Sequence, residues 1–212
     1  MNNVNRSPVW PGAIVLTVLA AICTALVALT HAVTAPRIAA NEQAWLERSL
    51  EPVLAGLEYD GTLSESTIVL ERPNGLPGTD AVTVYRVYAD DDPVAALFVV
   101  TPRDGYAGPI RLLVGIAANG RLTGVRALSH RETPGLGDQI DVSKSDWILG
   151  FSGRSFADPP APAWAIRSDG GEFDQMTGAS ITSRSVVKAV RDTLLYFDEN
   201  RERVFAREDG VE

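Results

Sequence analysis

The sequence predicts an α+β protein: one N-terminal transmembrane helix, then an antiparallel sheet packed with helices. Three observations predict it. An almost continuously apolar run fills residues 13–29. Four stretches rich in β-branched and aromatic residues lie between 81 and 128, separated by turn signals. The stretch 183–203 then repeats apolar residues at helical spacing. Strands grouped together, with helices before and after them, pack as α+β rather than as alternating βαβ units.

The apolar run comes first. No charged side chain occurs from Ser7 through Pro36, and about 20 apolar residues suffice to cross the hydrocarbon layer as a helix. A helix satisfies its own backbone polar groups, which lipid cannot. Trp10 stands at one end, where an amphipathic ring suits the headgroup region. Val33-Thr34-Ala35 has the small-residue spacing of a signal-peptidase site, but Pro36 would follow the cut. The run also exceeds the roughly 7–15 residues of a signal core, so the span is expected to be retained. Arg6 and the amino terminus precede it and an acidic region follows. The positive-inside tendency therefore places the short N-terminus in the cytoplasm and the rest outside. The expected organisation is a short N-terminus and transmembrane helix over 1–37, a helical stalk and connecting segment over 38–80, and a folded domain over 81–212.

Charge and composition exclude several classes. All 27 acidic residues lie after Arg37, and of the 19 basic residues only Arg6 and Arg37 do not. The region 38–212 thus carries 27 acids against 17 bases, a formal −10 where the whole chain is −8. A nucleic-acid partner calls for a basic face, which this balance argues against. Cys23 is the single cysteine and sits in the apolar run, so no intrachain disulfide forms and thiolate metal or iron–sulfur sites are excluded. With two histidines, little remains from which to build a metal site. Any redox chemistry must come from an organic cofactor.

Beyond the span, residues 39–57 read as a helix that Pro52 limits. Residues 72–80 are turn material. Residues 81–88 alternate as a strand, and 94–101 read as a buried strand after the Asp90-Asp-Asp-Pro93 turn. Two more strands, 110–116 and 122–128, flank Asn119-Gly120, a strong hairpin signal. The closing helix over 183–203 presents Val186, Val190, Leu194 and Phe197 on one face.

Three segments are rich in glycine and small polar residues: Asp104-Gly-Tyr-Ala-Gly-Pro109, His130-Arg-Glu-Thr-Pro-Gly-Leu-Gly-Asp138 and Asp174-Gln-Met-Thr-Gly-Ala-Ser-Ile-Thr-Ser183. In the third, Thr182 or Ser183 is placed to cap the following helix. The same segment offers a hydroxyl beside a helix start, where free backbone N–H groups and the helix dipole favour a phosphate. In the second, Pro134, Gly135 and Gly137 force an irregular backbone that lets main chain approach a flat ring. His130 and Glu132 there either satisfy buried hydrogen bonds or tune a cofactor ring by hydrogen bonding to it. The residues alone leave both readings open.

Taken together and in this order, the segments resemble the FMN-binding domain family. Gly105-Tyr-Ala-Gly-Pro-Ile110, Val114-Gly-Ile116 and Gly124-Val125 precede His130-x-Glu-Thr-Pro-Gly-Leu-Gly137 and Asp174-x-x-Thr-Gly-Ala-Ser180-x-Thr-Ser183. With its single N-terminal span, the chain is similar to the G subunits of Rnf ion-translocating electron-transport complexes. These in turn are related to the C subunits of sodium-translocating NADH:quinone reductases. The resemblance runs from the span to about Phe205.

The resemblance implies a specific chemistry. In these families a flavin transferase joins FMN, taken from FAD, to a hydroxyl of the third segment as a phosphodiester. The matching acceptor is Ser180, with Asp174, Thr177, Gly178, Ala179 and Thr182 around it. His130, Glu132, Thr133, Leu136, Gly137 and Tyr106 are the further residues that would bind the flavin. The family usually has threonine at the acceptor position. Serine offers the same hydroxyl without the methyl that stiffens χ1. The implied protein is an electron-transfer subunit that turns over nothing alone, with its domain on the periplasmic side of a cell inner membrane. Its partners would be membrane and iron–sulfur subunits of a complex that couples ferredoxin:NAD oxidoreduction to Na+ or H+ translocation. The alternative readings are a membrane-anchored flavin-binding sensor and an assembly subunit without flavin.

Overall fold

A computed structural model of the chain describes residues 10–54, 56–57, 59, 66–71, 74–78 and 81–206. The chain divides into two compact units, Met1–Trp45 and Leu46–Glu212. Arg6, on which the expected orientation rests, lies outside the described residues.

Helix α1 runs from Trp10 to Leu50. Within it, Gly12–Arg37 forms a stretch of 26 residues with mean hydropathy 2.6, long and apolar enough to cross a membrane. The hydroxyls of Thr17, Thr24 and Thr30 donate to the carbonyls of Ala13, Ala20 and Leu26, each at 2.8 Å. Threonine in an apolar helix thereby keeps its polar group satisfied within its own helix. The helix expected over 39–57 ends earlier, at Leu50, and Glu51–Val53 is a short 3-10 turn. Pro52 is the reason, because the residue before a proline is disfavoured in the α conformation.

The second unit is built on a five-stranded antiparallel sheet whose strands follow chain order. These are β1 (Thr67–Glu71), β2 (Ala81–Ala89), β3 (Asp92–Val100), β4 (Arg111–Ala117) and β5 (Leu122–Ser129). Four match the sequence expectation to within two residues. The fifth, β1, occupies a stretch read only as connection. It is a short edge strand in which Leu70 alone is buried, so it carries little hydrophobic pattern. Between β2 and β3 the chain turns at Asp90 and Asp91, both at positive φ, and Pro93 lies inside β3. Two consecutive left-handed residues make the tight hairpin turn whose twist suits antiparallel strands. Of the expected turn over 72–80, residues 74–78 are turn and bend, and the others lie outside the described residues.

Strand pairing sorts the sheet into two buried faces. Val84, Phe98, Val114 and Val125 align across β2 to β5 and share one core cluster with Val186, Val190, Leu194 and Phe197. Leu97, Val99 and Leu113 face the other way, against Leu50, Val53 and Leu54. This two-sided burial is why β3 reads as an unbroken apolar run. The closing helix, α2, spans Ser180–Phe205 and lies along the first face. Phe98 meets Tyr196 and Phe197 edge-on at 6.3 and 6.2 Å between ring centres.

Between β5 and α2 the chain forms short 3-10 turns, Gly137–Ile140, Trp147–Phe151, Ala161–Ala163 and Arg167–Asp169. They close on stacked aromatic rings. Phe173 lies 5.0 Å from Phe151 and 4.8 Å from Trp164, centre to centre. Arg167 N–H donates to the Phe173 carbonyl at 2.8 Å, which pins the strand-like arm that leads to α2.

Candidate functional site

The three glycine-rich segments, scattered over eighty positions, meet at the start of α2. Glu132 joins them. It is only 4% exposed, and its Oε1 accepts the Ala107 N–H at 3.0 Å. Its Oε2 accepts the Thr182 hydroxyl. Its own N–H donates to His130 Nδ1 at 3.2 Å. Both carboxylate oxygens are thus engaged inside the protein, and the first of the two open readings, buried hydrogen bonding, describes what the side chain does here.

Glycine makes that convergence sterically possible. A Cβ on Gly137 would lie 2.9 Å from Glu132 Cβ and Oε2 and 3.1 Å from Thr182 Oγ1. One on Gly105 would lie 2.8 Å from Ile110 Cδ1 and 2.9 Å from Glu132 Oε1. The Thr133 carbonyl accepts the amides of Leu136, Gly137 and Asp138 at 3.1, 3.0 and 3.4 Å, which winds the second segment into a compact turn.

The third segment folds differently from its sequence expectation. The sequence places Thr182 and Ser183 as caps of a helix starting at 183, but α2 begins at Ser180 and its N-cap residue is Ala179, without a side-chain cap. Both hydroxyls have other partners. Ser183 Oγ accepts the Met176 N–H and donates to the Ala179 carbonyl, both at 3.0 Å. Thr182 is committed to Glu132. The Ala179 N–H closes a turn onto the Met176 carbonyl at 3.0 Å, with Gly178 at φ +78. Ser183 N–H reaches back to the Ala179 carbonyl, so the amides of Ser180, Ile181 and Thr182 precede the helical ladder.

Ser180 is therefore the first helical residue, half-buried, at the positive end of the helix dipole. Among the described residues, its hydroxyl and that of Thr177 make no hydrogen bond. Two apolar side chains of the neighbouring turns are exposed, Leu136 at 42% and Ile181 at 47%, as is Tyr106 of the first segment at 67%. Leu136 Cδ2 lies 3.0 Å from where a Gly178 Cβ would stand, so the second segment covers the turn of the third. Asp174 is exposed and pairs with Arg167 at 2.7 Å, while its carbonyl accepts the Trp147 indole N–H at 2.7 Å. It braces the arm rather than the hydroxyl.

Sequence reasoning missed several residues that hold the site. Asp104 accepts the Ser185 hydroxyl at 2.7 Å and the Lys188 ammonium at 3.0 Å, tying the first segment to α2. Burial pushes its carboxyl up, but the Ser185 and Lys188 hydrogen bonds and the Lys188 charge outweigh that and hold it below its ordinary value. Arg184, one turn beyond Ser180, makes a two-pronged pair with Asp169 at 2.6 and 2.9 Å. That contact raises the Arg184 pKa and lowers that of Asp169. Asp104 and Ser185 also line an open cleft of about 480 Å³, with Leu76, Pro77, Lys188 and Asp192. None of the predicted site residues lines it.

Comparison with known proteins decides the family. An FMN-binding domain model matches residues 105–195, and a model of the RnfG N-terminal region matches residues 1–53. The chain is 40% identical to the G subunit of the ion-translocating oxidoreductase complex of Pseudomonas aeruginosa over 213 residues, covering 100% of this chain and 99% of that one. It is 41% identical to the corresponding protein of Shewanella loihica over 197 residues, 93% of each chain. The corresponding protein of Vibrio cholerae is 41% identical over 192 residues, 90% of this chain and 91% of that one.

The chain belongs to the G-subunit family of ion-translocating oxidoreductase complexes. The matched FMN-binding region of this family member opens at Gly105 and closes within α2, so it takes in all three segments except Asp104. The donor chemistry suits a phosphorylated flavin. Unpaired amides at the start of α2 complement a phosphate, and exposed Leu136, Ile181 and Tyr106 offer apolar surface to a flat ring.

Proposed function

We propose that this protein carries FMN as a phosphodiester on Ser180 and passes electrons between partner subunits of a membrane complex. The observation that carries the reading is the position of the Ser180 hydroxyl. It stands unpartnered at the first residue of α2, between the Gly178 turn and the exposed Leu136 and Ile181, while neighbouring Thr182 and Ser183 are occupied.

In the attachment step a flavin transferase supplies FAD. The Ser180 Oγ–P bond forms as the pyrophosphate P–O bond of FAD breaks, AMP leaves, and the hydroxyl proton goes to solvent. The amides of Ser180, Ile181 and Thr182, which precede the helical ladder, would stabilise the phosphate's charge together with the helix dipole. Exposed Leu136, Ile181 and Tyr106 would offer apolar surface to the ring. Glu132 fixes the distance between the segments that carry these groups. When bound, FMN supplies electron transfer chemistry, and the protein's part is to position it and set its potential.

By family the chain is one component of an ion-translocating oxidoreductase and is not catalytic alone. The stretch Gly12–Arg37 anchors it in the cell inner membrane as a single pass. The short N-terminus lies in the cytoplasm and the FMN domain on the periplasmic side, where a covalent tether keeps the flavin from being lost. Iron–sulfur and membrane subunits are the electron partners, in a complex that exchanges electrons between ferredoxin and NAD and moves Na+ or H+.

The test is a denaturing gel of the chain purified from cells that express the flavin transferase. A band fluorescent under ultraviolet light, and an intact mass raised by FMN less one water, are expected. A dark band at unmodified mass sinks the covalent reading.

A further inference from the structure

Ser180 has an exposed cation for a neighbour on α2. Of the residues that follow it, Thr182, Ser183 and Ser185 are buried, while Ile181 and Arg184 are exposed. Residues four apart share one helix face, with Cβ atoms roughly 5–6 Å apart, and long side chains lean back toward the helix start. Helix geometry therefore brings the Arg184 side chain over the turn that holds Ser180. The next cation along the helix, Lys188, lies a turn further on and is held by Asp104 at 3.0 Å.

The Arg184 guanidinium is pinned by one edge. Nε and Nη2 donate to the two Asp169 carboxylate oxygens at 2.6 and 2.9 Å. Among the described residues, Nη1 has no hydrogen-bond partner. Asp169 is itself fixed beside the arm that leads into Ser180: Ser168 donates its N–H to Gln175 Oε1 at 3.2 Å, and Arg167 N–H donates to the Phe173 carbonyl at 2.8 Å. The Asp169–Arg184 pair thus closes residues 169–184 into a loop that contains the Gly178 turn and Ser180. A guanidinium suits phosphate oxygens as well as carboxylate oxygens, and it can hold one group by each edge. The other nearby acid, Asp174, is neutralised by Arg167 at 2.7 Å, so neither carboxylate confronts an incoming anion as a bare charge.

Resting on the flavin reading above, we propose that Arg184 is the side-chain counter-ion of the FMN phosphate, with Nη1 donating to a phosphate oxygen while Asp169 keeps Nε and Nη2. A phosphodiester retains one negative charge and two free oxygens, so the contact serves before attachment and after it. Arg184 thus selects for a phosphorylated flavin and holds its phosphate at the start of α2. Asp169 aims the guanidinium and makes no contact with the flavin.

The experiment uses the full chain in detergent, produced without the transferase and so flavin-free, titrated with FMN and with riboflavin, the same flavin without its phosphate. Flavin fluorescence reports Kd, and thermal unfolding checks that each variant folds. The parent is expected to bind FMN more tightly than riboflavin. Arg184→Gln should weaken FMN about tenfold, the loss of one hydrogen bond between charged groups, and change riboflavin by less than about twofold. Asp169→Ala breaks the same exposed ion pair but leaves the cation, so it should weaken FMN by less than about threefold. An unchanged FMN Kd in Arg184→Gln, an equal loss for both flavins, equal losses of FMN in the two variants, or an Arg184→Gln chain that fails to fold overturns the proposal. So does a parent without a preference for FMN, including one that binds neither flavin. The flavin reading fails separately, on a dark band in the gel test.

Discussion

Glu132 and Thr182, fifty positions apart, are joined side chain to side chain in the buried interior, and Glu132 simultaneously holds the Ala107 amide at 3.0 Å. One carboxylate therefore ties together all three glycine-rich segments. Replacing it with alanine leaves a part-buried N–H and a buried hydroxyl without their acceptor. Glu132→Ala is expected to destabilise the chain by about 3 kcal/mol. Thr182→Val removes one arm and should cost about 1–2 kcal/mol, with the double variant less destabilised than the sum. Thermal unfolding of the four chains in a double-mutant cycle measures this. Additive effects would show that the two residues act separately.

The acceptor position makes a second prediction. Ser180 is the hydroxyl at the first residue of α2 without a hydrogen-bond partner, whereas Ser183 braces the turn. Ser180→Ala should abolish the flavin-dependent mass increase, and Ser180→Thr should retain it, because the hydroxyl keeps its place. Thr177→Ala should leave the modification intact. Ser183→Ala should cost about 1 kcal/mol of stability by freeing the Met176 amide, and should lower flavin loading only as far as the turn loosens. Intact-mass spectrometry of the four variants separates these outcomes.

Much of this architecture is legible in the chain, for identifiable reasons. Strands β2 to β5 carry apolar faces, and Val186, Val190, Leu194 and Phe197 keep helical period, so one-dimensional pattern suffices. Edge strand β1 is invisible because only Leu70 is buried. The start of α2 is misplaced by three residues because Thr182 and Ser183 look like caps locally. Thr182's actual partner, Glu132, is fifty positions away and depends on tertiary folding, while Ser183 bonds back to Ala179 and Met176 instead of capping. The turns over 137–176 are held by aromatic stacking and single backbone bonds, which leave no period to read. Within the site the motif residues can be named, but the bracing by Asp104, Ser185 and Lys188 depends on partners 81 and 84 positions apart.

Asp104 gives the pH prediction. Its carboxyl titrates below the ordinary 3.8 because the Ser185 and Lys188 contacts outweigh the burial that opposes them. A depressed folded-state pKa contributes stability that is present above 3.8 and is lost as pH falls through the folded value. Asp104→Asn should therefore lose stability at neutral pH relative to the parent, with the gap closing under acid. Unfolding curves collected from neutral pH to below 3.8 test this, and parallel curves for the two chains would refute it.

Gly137 tests how tightly the segments are pressed together. A Cβ there would stand 2.9 Å from both Glu132 Cβ and Oε2, inside van der Waals contact. Neither atom can retreat cheaply: one belongs to a buried stem, and the other accepts the Thr182 hydroxyl. Gly137→Ala is therefore expected to destabilise by about 1–3 kcal/mol through overpacking. Gly135→Ala, three residues from Glu132, meets nothing within 4 Å but sits at φ +78. It should cost about 1 kcal/mol from backbone strain alone. The decisive readout is flavin loading. Gly137→Ala should lower it by pushing the Glu132 carboxylate away from Ala107 and Thr182, and Gly135→Ala should not. Equal loading in the two variants would separate the site from the Glu132 brace.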